Sequence, residues 1–172
     1  LAQPKLGVSK GDLAKLKGKV KHLFHLGAVY DLEASAEEMH KANIVGTESA
    51  LAFANAVNAG CFHLVSSIAA AGLYRGTFTE DMFEEAEDLD HPYYRTKHDS
   101  EGLVRANGRI PFRVYRPGVV VGHSQTGFID KIDGPYYFFK ALQRLRESWP
   151  RCVPLVDVER GSFSASSLLR CG

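Results

Sequence analysis

Short apolar runs alternate with helix-length amphipathic stretches along this chain, and no other feature restricts its fold as much. Parallel strands need crossover segments long enough to cover a sheet face. The order strand, helix, strand, helix, strand, helix therefore reads as successive βαβ units. Strands are expected at 20–26 (VKHLFHL), 61–67 (CFHLVSS) and 111–117 (PFRVYRP). Between them, a helix is expected at about 37–58, with Ile44, Thr47, Leu51, Ala54 and Val57 at helical spacing and Gly60 as its stop. A second is expected at about 92–106, with Pro92 in its first turn and Asn107-Gly108 ending it. A short helix capped by Ser9, with Asp12 in its first turn and its end near Gly18, precedes the first strand. A last helix, at about 135–147, stops before Pro150. The expected fold class is α/β, part of a doubly wound parallel sheet.

Such a sheet ordinarily carries a glycine-rich turn after its first strand, where helix N-H groups meet a phosphate. Neither GxGxxG nor GxxGxxG follows a strand here. Gly122 and Gly127 have the spacing of a P-loop, but Phe128 stands where its lysine must be, and that reading is rejected. Two βα units of about 30 residues each, roughly 60 to 70 in all, are expected ahead of residue 1. The chain is therefore read as a fragment lacking its N-terminal glycine-rich βα units.

Composition excludes several classes of partner. A formal net charge of +1 gives no reason to expect nucleic acid. No run of 18 apolar residues predicts a membrane span. The basic residues Lys15, Lys17, Lys19 and Lys21 read as a solvated helix face, and the acids between Glu80 and Asp88 as a solvated loop. The three cysteines, Cys61, Cys152 and Cys171, are odd in number and share no CxxC spacing, which favours a reducing cytoplasm over a disulfide framework. Cys61 reads as a small core residue. The pairs Cys61/His63 and His22/His25 read as strand positions at the core or rim, so no metal is expected.

The residues that carry chemistry are Tyr93 and Lys97. Spaced i, i+4, they share one helix face, so a phenol and an ammonium can enter one cleft. A fixed cation near a phenol favours its ionised form. A tyrosine tuned in this way can give a proton to a carbonyl oxygen as hydride arrives, or take one from an alcohol. Upstream, a strand ends in Ser66-Ser67, at the edge where ligands of open α/β sheets bind. A serine there can hydrogen-bond the same substrate oxygen.

In order and spacing, Ser66-Ser67 with Gly72, Tyr93 with Lys97, His25-Leu26-Gly27-Ala28, Asn43 with Thr47, and Arg116-Pro117-Gly118 with Gly122 resemble the motifs of extended short-chain dehydrogenases/reductases. The resemblance implies a Rossmann-type sheet and a catalytic trio of Ser67, Tyr93 and Lys97. Counted back from Gly72, the serine is Ser67 rather than Ser66. Tyr93 would be the acid, and Lys97 would hold the ribose and lower the phenol's pKa. His25, Leu26, Gly27, Ala28, Asn43, Tyr93, Lys97, Pro117 and Gly118 are the implied cofactor-binding positions. Family members usually carry Ala-Ala where Gly27-Ala28 stands. The implied cofactor is NADP, with NAD left open because the residues that select between them belong to the absent unit.

Longer stretches, 25–31 (HLGAVYD), 65–73 (VSSIAAAGL), 75–83 (RGTFTEDMF) and 130–139 (DKIDGPYYFF), are similar to the thioester-reductase-like domain of bacterial fatty acyl-CoA reductases. They imply reduction of a fatty acyl thioester to an aldehyde or alcohol, with a small-molecule acyl thioester as the partner. Aromatic residues from Phe128 to Phe139 favour a lipid over a sugar. Two alternatives stay open: a sugar epimerase/dehydratase or hydroxysteroid-type dehydrogenase of the same superfamily, and an inactive truncated product. Residues 1–160 are read as a partial NAD(P)-binding catalytic domain with the start of the substrate-binding part. Residues 161–172 are read as an atypical tail, frameshifted or truncated.

Overall fold

A computed structural model describes residues 2–29, 34–130 and 135–148. The expected tail at 161–172, Cys152, Cys171 and the Tyr30-Asp31 end of the HLGAVYD stretch lie outside the described residues. The chain divides into two units, Leu1–Gly118 and Val119–Gly172.

The first unit is an α/β layer structure. Its elements are α1 (Lys10–Leu16), β1 (His22–His25), α2 (Ala36–His40), a π-helical turn (Lys41–Val45), α3 (Gly46–Ala56), β2 (Cys61–Val65), a 3-10 turn (Ile68–Ala71), α4 (Pro92–Asn107) and β3 (Phe112–Tyr115). Three strands form one parallel sheet in the order β1-β2-β3. The expected elements are present, with boundaries shifted by at most two residues. The end of the third strand is the plainest difference: ladder pairing stops at Tyr115, two residues before Pro117, and the Arg116 side chain bonds to Glu101 and to Met82 O.

The helix expected at 37–58 starts earlier and changes pitch. Ser35 Oγ accepts from Glu38 N at 3.2 Å, and Glu38 Oε2 accepts from Ser35 N at 3.0 Å. This is a capping box, legible as Ser-x-x-Glu. Helical dihedrals continue from α2 through the π turn into α3, so the three pieces form one rod. That wider turn contains Asn43, and such turns recur at functional sites.

Residues Phe62 and Leu64 of β2, two apart and so on one sheet face, join Leu51, Phe53, Ala54 and Val57 of the α3 region, Val104 of α4 and Ile110 in the buried core. On the opposite face stand His22, Phe24, Cys61, His63 and Tyr115, with Phe24 59% and Tyr115 40% exposed. At Gly72 the chain turns with φ +64, and a Cβ there would collide with the Glu87 carbonyl. That contact is part of a short bridge, Gly72 to Glu87, which holds the acidic loop against the residues after Ser67.

The second unit contains α5 (Pro135–Ser148) and the turn before it. His123 N donates to Phe128 O at 2.8 Å and Gly127 N to His123 O at 2.7 Å, which closes a loop. Tyr136 Oη accepts from Gly122 N at 2.6 Å. No helix among the described residues is long and apolar enough to cross a membrane.

Candidate active site

Helix α4 brings the candidate chemistry to the sheet. His91 caps it through Nδ1, which accepts from Tyr93 N at 3.2 Å, and Pro92 occupies its first turn. Its buried face is Thr96, Lys97, Ser100, Glu101 and Val104, at helical spacing but almost wholly polar. An ordinary core helix would present apolar groups there; the great majority of buried polar groups are satisfied by hydrogen-bond partners.

Lys97 is 6% exposed. Its Nζ donates to Val65 O, at the end of β2, over 3.4 Å and lies 6.0 Å from the centre of the Tyr93 ring. Burial holds this ammonium below the ordinary lysine value. An ammonium has three N-H donors, and Val65 O is its one hydrogen-bond acceptor among the described residues. Two donors therefore remain for hydroxyl groups of a ligand, which fits the paired hydroxyls of a ribose. Tyr93 itself is half-buried in the first turn of α4.

The two serines differ sharply. Ser67, in extended backbone, starts the 3-10 turn, and its Oγ accepts from Ala69 N at 3.1 Å. Its own O-H has no acceptor among the described residues and can be given to a ligand. Ser66 is 4% exposed, and its Oγ is buried without a hydrogen-bond partner among the described residues.

Asn43 ties the other pieces together. Its Oδ1 accepts from Val29 N at 2.8 Å, and its Nδ2 donates to Val29 O at 2.9 Å and to Thr96 Oγ1 at 3.1 Å. Thr96 Oγ1 donates in turn to Tyr93 O at 3.2 Å. One side chain thus fixes the backbone just after Gly27-Ala28 and the turn that carries Tyr93. His25 is buried and faces the helices, not an open cleft: its Nε2 lies 3.0 Å from Thr47 Oγ1, which donates to Asn43 O at 2.6 Å. Since the Thr47 proton is committed to that carbonyl, His25 Nε2 is the donor and the ring is the Nε2-H tautomer. Burial first, and the Lys97 charge second, hold His25 below the ordinary imidazole value. Leu26 is exposed, Gly27 half-buried and Ala28 exposed, at the end of β1; Pro117 is half-buried and Gly118 exposed, after β3.

Sequence reasoning missed Thr96 and the interior role of Thr47. Both lay inside motifs already singled out, but which partner each would meet is not written in spacing. It also missed the ion-pair group beneath the site. Glu101 is fully buried; Arg116 Nε donates to its Oε2 at 3.1 Å and Arg105 Nη2 to its Oε1 at 2.9 Å. Burial pushes this carboxyl up, but hydrogen bonds from Arg116 and then Arg105, with their charges, outweigh it and hold the pKa below the ordinary glutamate value. Arg116 also donates to Thr79 O at 3.0 Å and Met82 O at 2.7 Å, which anchors the acidic loop.

Residues 1–155 match the model of an NAD-binding family described as male sterility protein. A component of the linear gramicidin synthase of Brevibacillus parabrevis is 34% identical over 141 residues, which is 77% of this chain and 3% of that one. The aldehyde reductase lnbA of Aspergillus flavus is 28% identical over 169 residues, 92% of this chain and 16% of that one. Among solved structures, the terminal R domain from the myxalamid PKS-NRPS biosynthetic pathway superposes with a TM-score of 0.72 at 28% identity. That likeness covers 91% of this chain and 40% of the other. The chain therefore spans less than half the length of each of these relatives.

Proposed function

This chain belongs to the male sterility protein family of NAD-binding domains, and from that premise we propose that it supplies the serine, tyrosine and lysine of a site where NAD(P)H reduces a fatty acyl thioester. The observation that carries the reading is the buried Lys97 ammonium, held between the end of β2 and the face of Tyr93, with two N-H donors that meet no acceptor among the described residues. When bound, the nicotinamide supplies a hydride to the carbonyl carbon. Ser67 donates its O-H to the carbonyl oxygen, and Tyr93 delivers the proton as negative charge develops there. The carbon-sulfur bond then breaks, releasing the thiol and an aldehyde; a second hydride and proton give the alcohol. Lys97 holds the ribose hydroxyls and stabilises the phenolate that Tyr93 leaves behind. Asn43, through Val29 and Thr96, keeps the β1 end and the Tyr93 turn at a fixed separation.

On this reading residues 1–160 are one NAD(P)-binding catalytic domain with the start of the substrate-binding part, working in a reducing cytoplasm. Exposed Phe128, Tyr137, Phe138 and Phe139 supply apolar area suited to an acyl chain. A second reading, a thioester still attached to a synthase, is favoured by the likeness to the linear gramicidin synthase component and to the myxalamid R domain.

The test is to offer the intact protein long-chain acyl-CoA, the same acyl group on a carrier protein, and a UDP-sugar, each with the appropriate nicotinamide. Oxidation of NAD(P)H by the thioesters, dependent on Tyr93, is expected. A preference for the carrier-bound form selects the second reading. Turnover of the sugar with neither thioester removes the thioester assignment altogether.

A further inference from the structure

Sequence spacing sets His22 near His25, but three positions along a strand place two side chains on opposite faces. Register does something else. In the parallel pairing His22 stands beside Cys61 and Phe24 beside His63, so His22, Cys61 and His63 share the face away from the helices. One ligand atom from each of the three lies within 4.8 Å of the others. His22 Nδ1 and His63 Nε2 are 3.0 Å apart. We infer that His22, Cys61 and His63 form a binding site for a borderline transition-metal dication such as zinc or cobalt.

The donor set points to that class of ion. One thiolate and two imidazoles match zinc and cobalt, whereas calcium and magnesium take oxygen ligands. In a tetrahedral site with metal-nitrogen distances of about 2.0–2.1 Å and metal-sulfur of about 2.3 Å, ligand atoms stand roughly 3.3 to 3.6 Å apart. The two nitrogens need to part by only a few tenths of an ångström, and the sulfur to move by about one at most. Cys61 and His22 begin their strands, and His22 is exposed, so a fourth position opens to water.

The second nitrogen of His63 is already held. Its Nδ1 lies 2.9 Å from Tyr115 Oη, and the Phe24 ring stacks on the imidazole at 4.1 Å and 11°. Metal-binding histidines are oriented by such outer partners. On binding, the proton between His22 Nδ1 and His63 Nε2 moves to the far nitrogen of the ring that carried it, so both imidazoles stay neutral, His63 protonated at Nδ1 toward Tyr115 and His22 at Nε2 toward water. The Cys61 thiol loses one proton to solvent as the metal-sulfur bond forms. Because His22 and Cys61 stand at the amino ends of β1 and β2, and the proposed reductase site at their carboxyl ends, the ion acts as a brace between the strands rather than a participant in the reaction.

The experiment is a cobalt titration of the 172-residue chain. A thiolate-to-cobalt charge-transfer band with tetrahedral visible bands is expected, saturating at one ion per chain and bleached by zinc. Cys61→Ser should abolish the charge-transfer band. His22→Gln, at an exposed position that leaves the fold intact by circular dichroism, should weaken binding at least tenfold. The double variant Cys152→Ser/Cys171→Ser should retain the spectrum. Zinc should raise Tm in the parent and leave Cys61→Ser unmoved. Absence of the band in the parent, its survival in Cys61→Ser, or unchanged affinity in His22→Gln each overturns the site.

Discussion

At residue scale, Tyr93, Ser66 and Ser67 separate by what each can still give. Tyr93→Phe removes the proton donor and keeps the ring, so kcat should fall by about 10² to 10⁴ with cofactor affinity nearly unchanged. Steady-state kinetics beside a binding titration will check this, with Tyr94→Phe as the neighbour that should stay active. Ser67→Ala should lower the rate, since Ser67 keeps a proton for a ligand. Ser66→Ala should leave the rate alone and hold or raise stability, because it deletes a buried hydroxyl with no described partner. Loss of turnover in Ser66→Ala with full activity in Ser67→Ala reverses the assignment. His25 gives a pH prediction. Its folded pKa lies below 6.5, so between the two values the unfolded chain binds more protons. That contribution to stability is whole above about 6.5 and shrinks as pH falls through the window. In chelator-containing buffer, the urea midpoint should drop from neutral to mildly acid pH, less steeply in His25→Gln. Some slope should persist through His63, which burial, His22 and Arg113 hold down as well.

Among the elements, α4 carries most of the site, and its polar buried face is held by partners from the rest of the unit. Glu101 contributes no surface and accepts from two arginines, while Arg116 reaches on to two loop carbonyls. Removing the main partner of a buried charge leaves it uncompensated. Arg116→Met should therefore cost about 3–5 kcal/mol in urea unfolding. Arg105, whose side chain is 34% exposed, lies nearer the surface regime. Arg105→Met should cost about 1 kcal/mol or less. Equal costs for the two would mean that Arg116 does not dominate the group. Retained activity in a folded Arg116→Met variant would show that the 79–82 loop does not shape the site.

For the whole molecule, the question is what the aromatic residues around α5 are for. If they shield an acyl chain, each methylene withdrawn from water contributes about 0.8 kcal/mol, or roughly a fourfold rise in kcat/KM. A series of acyl-CoA substrates should show that climb and then a plateau once added methylenes no longer leave water. A flat profile from short to long chains would argue that binding resides in the carrier portion of the substrate instead.

Local rules were enough for the order of elements, the parallel sheet and the placing of Tyr93 and Lys97 on one helix face, because periods of two and 3.6 residues encode where a side chain points from its own backbone. The capping box at Ser35 obeys the same local rules, although the helix expected from spacing starts at about 37 and makes no use of it. What stands opposite each side chain depended on tertiary structure. Asn43 meets Thr96 across 53 positions, His22 meets His63 across 41, and Arg116 meets Glu101 across 15. Those meetings are set by strand register and by how helices pack on the sheet, which decide that one serine is buried and its neighbour is not. A pitch change at Asn43 and a histidine turned inward at the end of β1 belong to the same class. Sequence therefore determined which groups are present and which way each leaves the backbone, and only the packed fold decided which of them touch.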